Sequence, residues 1–173
     1  MARSLVGREM VKLGGSPGYE GFDANANAYV IDTNNGGAAV RKLAPMNYAR
    51  VFHNSVVLPN GQVVVIGGQT RAAAFTDDRS VLAAELFDPV TETFTVLPAM
   101  TVPRNYHGVA LLMPDARVIT SGSGLCGAGC AANHPDVQIL APYYLFNPDG
   151  SPAARPVITA APTQAGHGTA MAV

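Results

Sequence analysis

Two stretches of this chain repeat one another at an interval of 54 to 55 residues, and that periodicity restricts the fold more than any other feature. Arg50-Val51-Phe52-His53 is followed by an apolar run, Leu58-Pro59-Asn60-Gly61, a second apolar run at 63–66 and Gly67-Gly68. Arg104-Asn105-Tyr106-His107 is followed in the same order by residues 109–113, Pro114-Asp115-Ala116, residues 118–120 and Ser121-Gly122. Arg50 to Arg104 is 54 positions and Pro59 to Pro114 is 55, which places one extra residue of the second copy between its histidine and its proline.

Each copy reads as two antiparallel strands around a tight turn, because Pro-Asn-Gly and Pro-Asp-Ala supply a preset φ between β-branched runs. Two further strands follow in each copy, at 83–87 and 93–97 in the first and at 137–140 and 156–159 in the second. Four strands at this period describe a kelch-type blade of a β-propeller. An incomplete blade precedes them, with strands at 10–13, 28–31 and 40–43 and its own glycine pair, Gly14-Gly15. The expected fold class is therefore all-β, a partial kelch-type propeller of about two and a half four-stranded blades. A ring closes with about 4 to 8 blades, so the chain reads as a fragment of a longer protein or as a piece that assembles with others. Residues 1–160 are expected to form the partial propeller, and 161–173 the truncated first strand of a following domain.

Composition removes several function classes. Eleven basic residues stand against 12 acidic ones, so no broad field exists to hold a polyanion, and nucleic acid is not an expected partner. The longest apolar runs fall far short of the roughly 20 residues that span a bilayer, and no membrane association is expected. Residues 1–9 contain no apolar signal-peptide core. Gly122-Ser123-Gly124 lacks the lysine and helix of a phosphate loop, and no serine nucleophile elbow occurs. Asp77-Asp78-Arg79 reads as a solvated loop, and His134 as a residue of a polar turn. The only two cysteines, Cys126 and Cys130, share a glycine-rich turn. They could form a local disulfide, remain free thiols, or contribute half of a zinc site with His134.

Several stretches together carry a more specific likeness: Leu13-Gly14-Gly15-Ser16-Pro17-Gly18-Tyr19, Ala49-Arg50-Val51-Phe52-His53, and the span from Arg104 to Pro156 with Leu125-Cys126, Asn133-His134 and Pro142-Tyr143-Tyr144-Leu145. In these the chain resembles the galactose oxidase and glyoxal oxidase family of copper-radical oxidases, over its later propeller blades and the start of its immunoglobulin-like C-terminal domain. The resemblance implies oxidation of a primary alcohol, aldehyde or sugar with release of hydrogen peroxide, and a full-length protein that is secreted or extracellular.

In that family two tyrosines and two histidines hold one copper. Tyr106 resembles the axial tyrosine, which makes it the catalytic candidate, and His107 resembles one histidine ligand. The cross-linked tyrosine, its cysteine and the second histidine are expected outside residues 1–173, and His167 is not their substitute. Half a ligand set implies weak or absent copper in this chain, and inactivity on its own. Tyr19 and Phe75 fall where the family lines its substrate pocket with aromatics. Cys126 and Cys130 resemble its local disulfide, with three intervening residues where two are expected. The rival reading is a non-catalytic kelch-like segment that binds carbohydrate or protein, in which Tyr106 and His107 are ordinary repeat residues. Phe52-His53 at the same repeat position lacks the phenol. Adjacent strand residues face opposite ways, so two neighbours sharing one metal require irregular backbone or a place at the strand's start.

Overall fold

A computed structural model describes residues 9–34, 37–164, 166–168 and 170. Ten strands and one 3-10 turn make up the regular structure of these residues, and no helix among them is long and apolar enough to cross a membrane. The strands form three antiparallel meanders. The first contains β1 (Glu9–Leu13), β2 (Ala28–Asp32) and β3 (Ala39–Lys42). The second is a complete four-stranded blade of β4 (Asn54–Val57), β5 (Val63–Ile66), β6 (Ala83–Asp88) and β7 (Thr93–Ala99). The third contains β8 (Val109–Leu112), β9 (Val118–Ser121) and β10 (Val137–Leu140).

The chain divides into two compact units, Met1–Ala141, which holds all three sheets, and Pro142–Val173. The second contains the 3-10 turn at Tyr143–Leu145 and a small loop closed by a bridge between Phe146 and Pro152. The fourth strand expected at 156–159 does not form. Val157 and Ile158 are 78% and 71% exposed and pair with nothing in a sheet, so the propensity of a β-branched pair does not by itself make a strand.

Burial follows the sheet stacking. All four residues of β5 are buried, as a strand covered on both faces requires. Ala28, Val30, Leu43, Val63 and Phe87 close the space between the first two sheets, with Val11, Leu13 and Phe94 packed around them. Phe87 meets Phe94 across β6 and β7, ring centroids 4.9 Å apart.

The repeated arginines explain how the blades hold together. Arg50 is fully buried, and its guanidinium donates to Gly67 O (2.9 Å), Ala83 O (2.6 Å) and Glu85 Oε1 (3.0 Å), all within its own blade. Arg104 donates likewise to Gly122 O (2.9 Å) and to Asp136 Oδ2 (3.0 Å). The tie between blades is made instead by the arginine's backbone. Gly15 N donates to Arg50 O at 2.7 Å, and Gly68 N to Arg104 O at 2.8 Å. The preceding glycine makes this approach feasible: a Cβ on Gly67 would lie 2.2 Å from Arg104 O, and one on Gly14 would lie 2.5 Å from Arg50 O.

Candidate metal-binding turn and aromatic pocket

Registers place the extra residue of the second copy elsewhere than the sequence suggests. Asn54 pairs with Ile66, just before Gly67, and Val109 pairs with Ser121, just before Gly122. Val109 is thus the counterpart of Asn54, and Gly108 that of His53. One position further back, Phe52 and His107 share a left-handed backbone, at φ 61° and 66°. Gln69 N donates to Val51 O at 2.9 Å, and Gly124 N to Tyr106 O at 2.9 Å, so Tyr106 stands where Val51 stands. The inserted residue is Asn105, between Arg104 and Tyr106. Aligning the two Arg-x-aromatic-His motifs end to end mistakes Phe52 for the counterpart of Tyr106 and His53 for that of His107.

The insertion builds a turn. Gly108 N donates to Asn105 O at 2.9 Å, so Tyr106 and His107 are the two central residues of a β-turn that precedes β8. Positive φ at the second central residue is the signature of a type II turn, where glycine is the comfortable occupant. Strand alternation does not apply there, and both rings emerge together with centroids 3.8 Å apart and a 33° tilt. His107 is exposed and Tyr106 half-buried.

His107 Nδ1 lies 2.9 Å from Gly124 O. A carbonyl can only accept, so Nδ1 carries the proton of the neutral ring, and the lone pair is on Nε2. A turn-borne imidazole whose tautomer is fixed from behind is a common arrangement for a metal ligand. Among the described residues no set of three or more His, Cys, Asp and Glu side chains is placed to share a metal. The donors gathered here are therefore one imidazole and one phenol.

Tyr19 and Phe75, proposed from the sequence as pocket aromatics, converge on the same phenol. Tyr19, Phe52 and Phe75 each lie edge-on to Tyr106, with ring centroids 5.1 Å away in every case. Phe75 also meets His107 at 5.8 Å. Two loops on different sheets bring this about. Gly21 N donates to Ala72 O (2.7 Å), Ala72 N to Phe22 O (2.7 Å) and Ala74 N to Glu20 Oε1 (2.8 Å), with Arg71 and Asp23 paired at 2.8 Å at the edge. The segment carrying Tyr19 is thereby laced to the segment carrying Phe75. Tyr19 is 51% and Phe75 44% exposed, so the cluster is an open apolar rim around a half-buried hydroxyl-bearing ring, and not core. Phe52 completes it, a residue the sequence reading left as a repeat position.

On the other side of His107 a cavity of about 560 Å³ is bounded by Ser123, Leu125, Asn133 and His134. Cys126 and Cys130 form a disulfide within this loop, which removes both sulfurs as thiolate ligands and with them the zinc alternative. Asn133 Oδ1 accepts from Leu125 N (2.7 Å) and Cys126 N (3.2 Å), and its amide donates to Gly127 O (2.7 Å). His134 Nε2 contacts Asp77 Oδ2 at 2.8 Å, joining this loop to the one that carries Phe75. The sequence offered no sign of that 57-residue link.

Comparison with known proteins agrees with this architecture. A family model described as the glyoxal oxidase N-terminus matches residues 26–127. A galactose oxidase of Gibberella zeae is 41% identical over 159 residues, 90% of this chain and 23% of that protein. An aldehyde oxidase of Arabidopsis thaliana is 29% identical over 143 residues, 78% of this chain and 23% of that protein. A solved fungal alcohol oxidase in complex with copper superposes with a TM-score of 0.86 at 44% identity, covering 91% of this chain and 34% of that one. The chain thus spans about a quarter of the length of the curated relatives it matches.

Proposed function

The chain belongs to the glyoxal oxidase N-terminus family, and from that premise we propose that it is part of a copper-dependent oxidase of primary alcohols or aldehydes, with Tyr106 and His107 as two of four protein ligands. One observation carries the reading: the phenol and the imidazole occupy the two central positions of one β-turn, with their rings 3.8 Å apart. The donor set fits copper, since imidazole suits it and a phenolate supplies a charged oxygen. His107 binds through Nε2, because Nδ1 is committed to Gly124 O. In the same reading residues 1–160 are propeller and 161–173 begin an immunoglobulin-like domain.

Bound there, copper supplies the redox chemistry by which a primary alcohol loses two electrons and two protons to dioxygen, giving an aldehyde and hydrogen peroxide. The chain's own residues do the rest. Tyr106 Oη, once ionised, takes the proton of the substrate hydroxyl. Tyr19, Phe52 and Phe75 surround the Tyr106 ring and favour a small alcohol or sugar that presents a C–H face to the rings. Phe75 also limits the approach to His107.

Copper(II) titration of the purified chain tests the reading. The expected result is binding that is lost in both Tyr106→Phe and His107→Ala, with no peroxide released from simple primary alcohols because half of the ligand set is supplied. Copper binding equal in the wild-type and both variants would overturn it.

A further inference from the structure

We propose that Asn105 is the positioning residue of the Tyr106 and His107 pair, a role that rests on reading that pair as metal ligands. Asn105 is the residue by which this blade exceeds the preceding one, and it is only 2% exposed although its neighbours Tyr106 and His107 reach toward solvent. Every polar group it uses holds part of the site. Its carbonyl accepts from Gly108 N at 2.9 Å and closes the turn. Its backbone N–H donates to Ser123 Oγ at 3.1 Å, fastening the turn to the segment whose Gly124 carbonyl fixes the His107 tautomer. Its side-chain amide donates to Thr76 O at 3.1 Å and to Ser80 Oγ at 2.8 Å.

The last two bonds cross to another sheet's loop. Thr76 directly follows Phe75, whose ring meets both Tyr106 and His107. The Thr76 carbonyl only accepts, so the amide must face it with Nδ2. Gln69 holds the same loop from its own blade, donating to Thr76 O (3.0 Å) and Asp78 O (2.9 Å). Gln69 therefore sets the loop's shape, and Asn105 sets its distance from the turn. The equivalent turn in the first copy has no residue at this place and carries no phenol. Where the first copy places the buried Val51, the second places the half-buried Tyr106, and the Asn105 amide keeps Phe75 against that ring.

The test uses the 173-residue chain with labelled phenylalanine and tyrosine rings. Nuclear Overhauser contacts between Phe75 and Tyr106 report the site, and those between Phe87 and Phe94 report the core. In Asn105→Asp, which sets a carboxylate against the Thr76 carbonyl, and in Asn105→Ala, the first contact is lost and the second stays. Copper(II) affinity falls about tenfold or more in the same variants, the usual effect of removing a residue that supports a metal ligand. Ser80→Ala deletes one anchor only and weakens the Phe75 contact partially, which serves if the Asn105 variants do not fold. Retention of the Phe75 contact in folded Asn105→Asp and in Ser80→Ala, or loss of both contacts together, would overturn the proposal. A selective loss in variants of a chain whose wild-type binds no copper would sustain the positioning role and discard the copper reading.

Discussion

Acidification should destabilise this chain in a window set by His53. That residue follows the left-handed Phe52 at the junction of two sheets, where a Cβ on Gly14 would lie 3.1 Å from its Cε1 and one on Gly68 would lie 2.9 Å from its Cβ. Its Nδ1 is buried without a hydrogen-bond partner. Burial first, then the charges of Arg50 and Lys12, pull its pKa from 6.5 down to about 4. The folded state thus binds fewer protons than the unfolded state between those two values, so stability is complete above the unfolded pKa and falls as pH drops toward 4. A shift of this size corresponds to about 3 kcal/mol once the folded pKa is passed, of which about 2 kcal/mol is already lost at pH 5. Set against the roughly 5–15 kcal/mol of an ordinary domain, that is a large fraction.

Urea unfolding followed by far-ultraviolet circular dichroism, from pH 8 to pH 4.5, measures it in the wild-type and in His53→Gln, which cannot gain the proton. The wild-type should lose about 2 kcal/mol more than the variant between pH 7.5 and pH 5. The lowered carboxyls of Asp88, Asp136 and Asp149 act only at and below the ordinary carboxylate range, outside this interval. Parallel stability curves for the two proteins would refute the argument.

Three further outcomes follow from the geometry. Glu85→Ala leaves a fully buried Arg50 guanidinium without its carboxylate and should cost about 3–5 kcal/mol by denaturant unfolding; Asp136→Ala, whose carboxylate is half exposed, should cost less. Gly67→Ala drives a methyl into Arg104 O and should lower the unfolding midpoint far more than Gly61→Ala, where φ is also positive but nothing lies within 4 Å; the latter reports only the left-handed backbone, about 1 kcal/mol. His107→Gly relieves the positive φ and should be at least as stable as His107→Ala in thermal unfolding, while both lose copper, which separates the strain of the turn from its use.

The amino-acid sequence alone determined the blades. β-Branched runs, Pro-Asn-Gly and Pro-Asp-Ala turns and glycine pairs at a fixed interval are local signals, and all ten strands lie where they place them, because each strand's partner is its neighbour in the chain. Tyr19, Phe75, Tyr106 and His107 were singled out by the family resemblance that the sequence carries. What the sequence misplaced was the insertion, since Arg-Val-Phe-His and Arg-Asn-Tyr-His align by eye without a gap, and it takes the strand registers together with the matching bonds to Val51 O and Tyr106 O to show that Asn105 is the added residue.

Tertiary structure alone decided the rest. The strand expected at 156–159 is in no sheet, although its β-branched residues favour one. Arg50 and Arg104 hold their own blades with their side chains and tie neighbouring blades with their carbonyls, a division no composition reveals. The convergence of Tyr19, Phe52 and Phe75 on one phenol depends on loops from three sheets meeting edge to edge. Local backbone preferences act over a few residues and are written in the chain, whereas a site assembled across 50 or more residues exists only after the sheets have stacked.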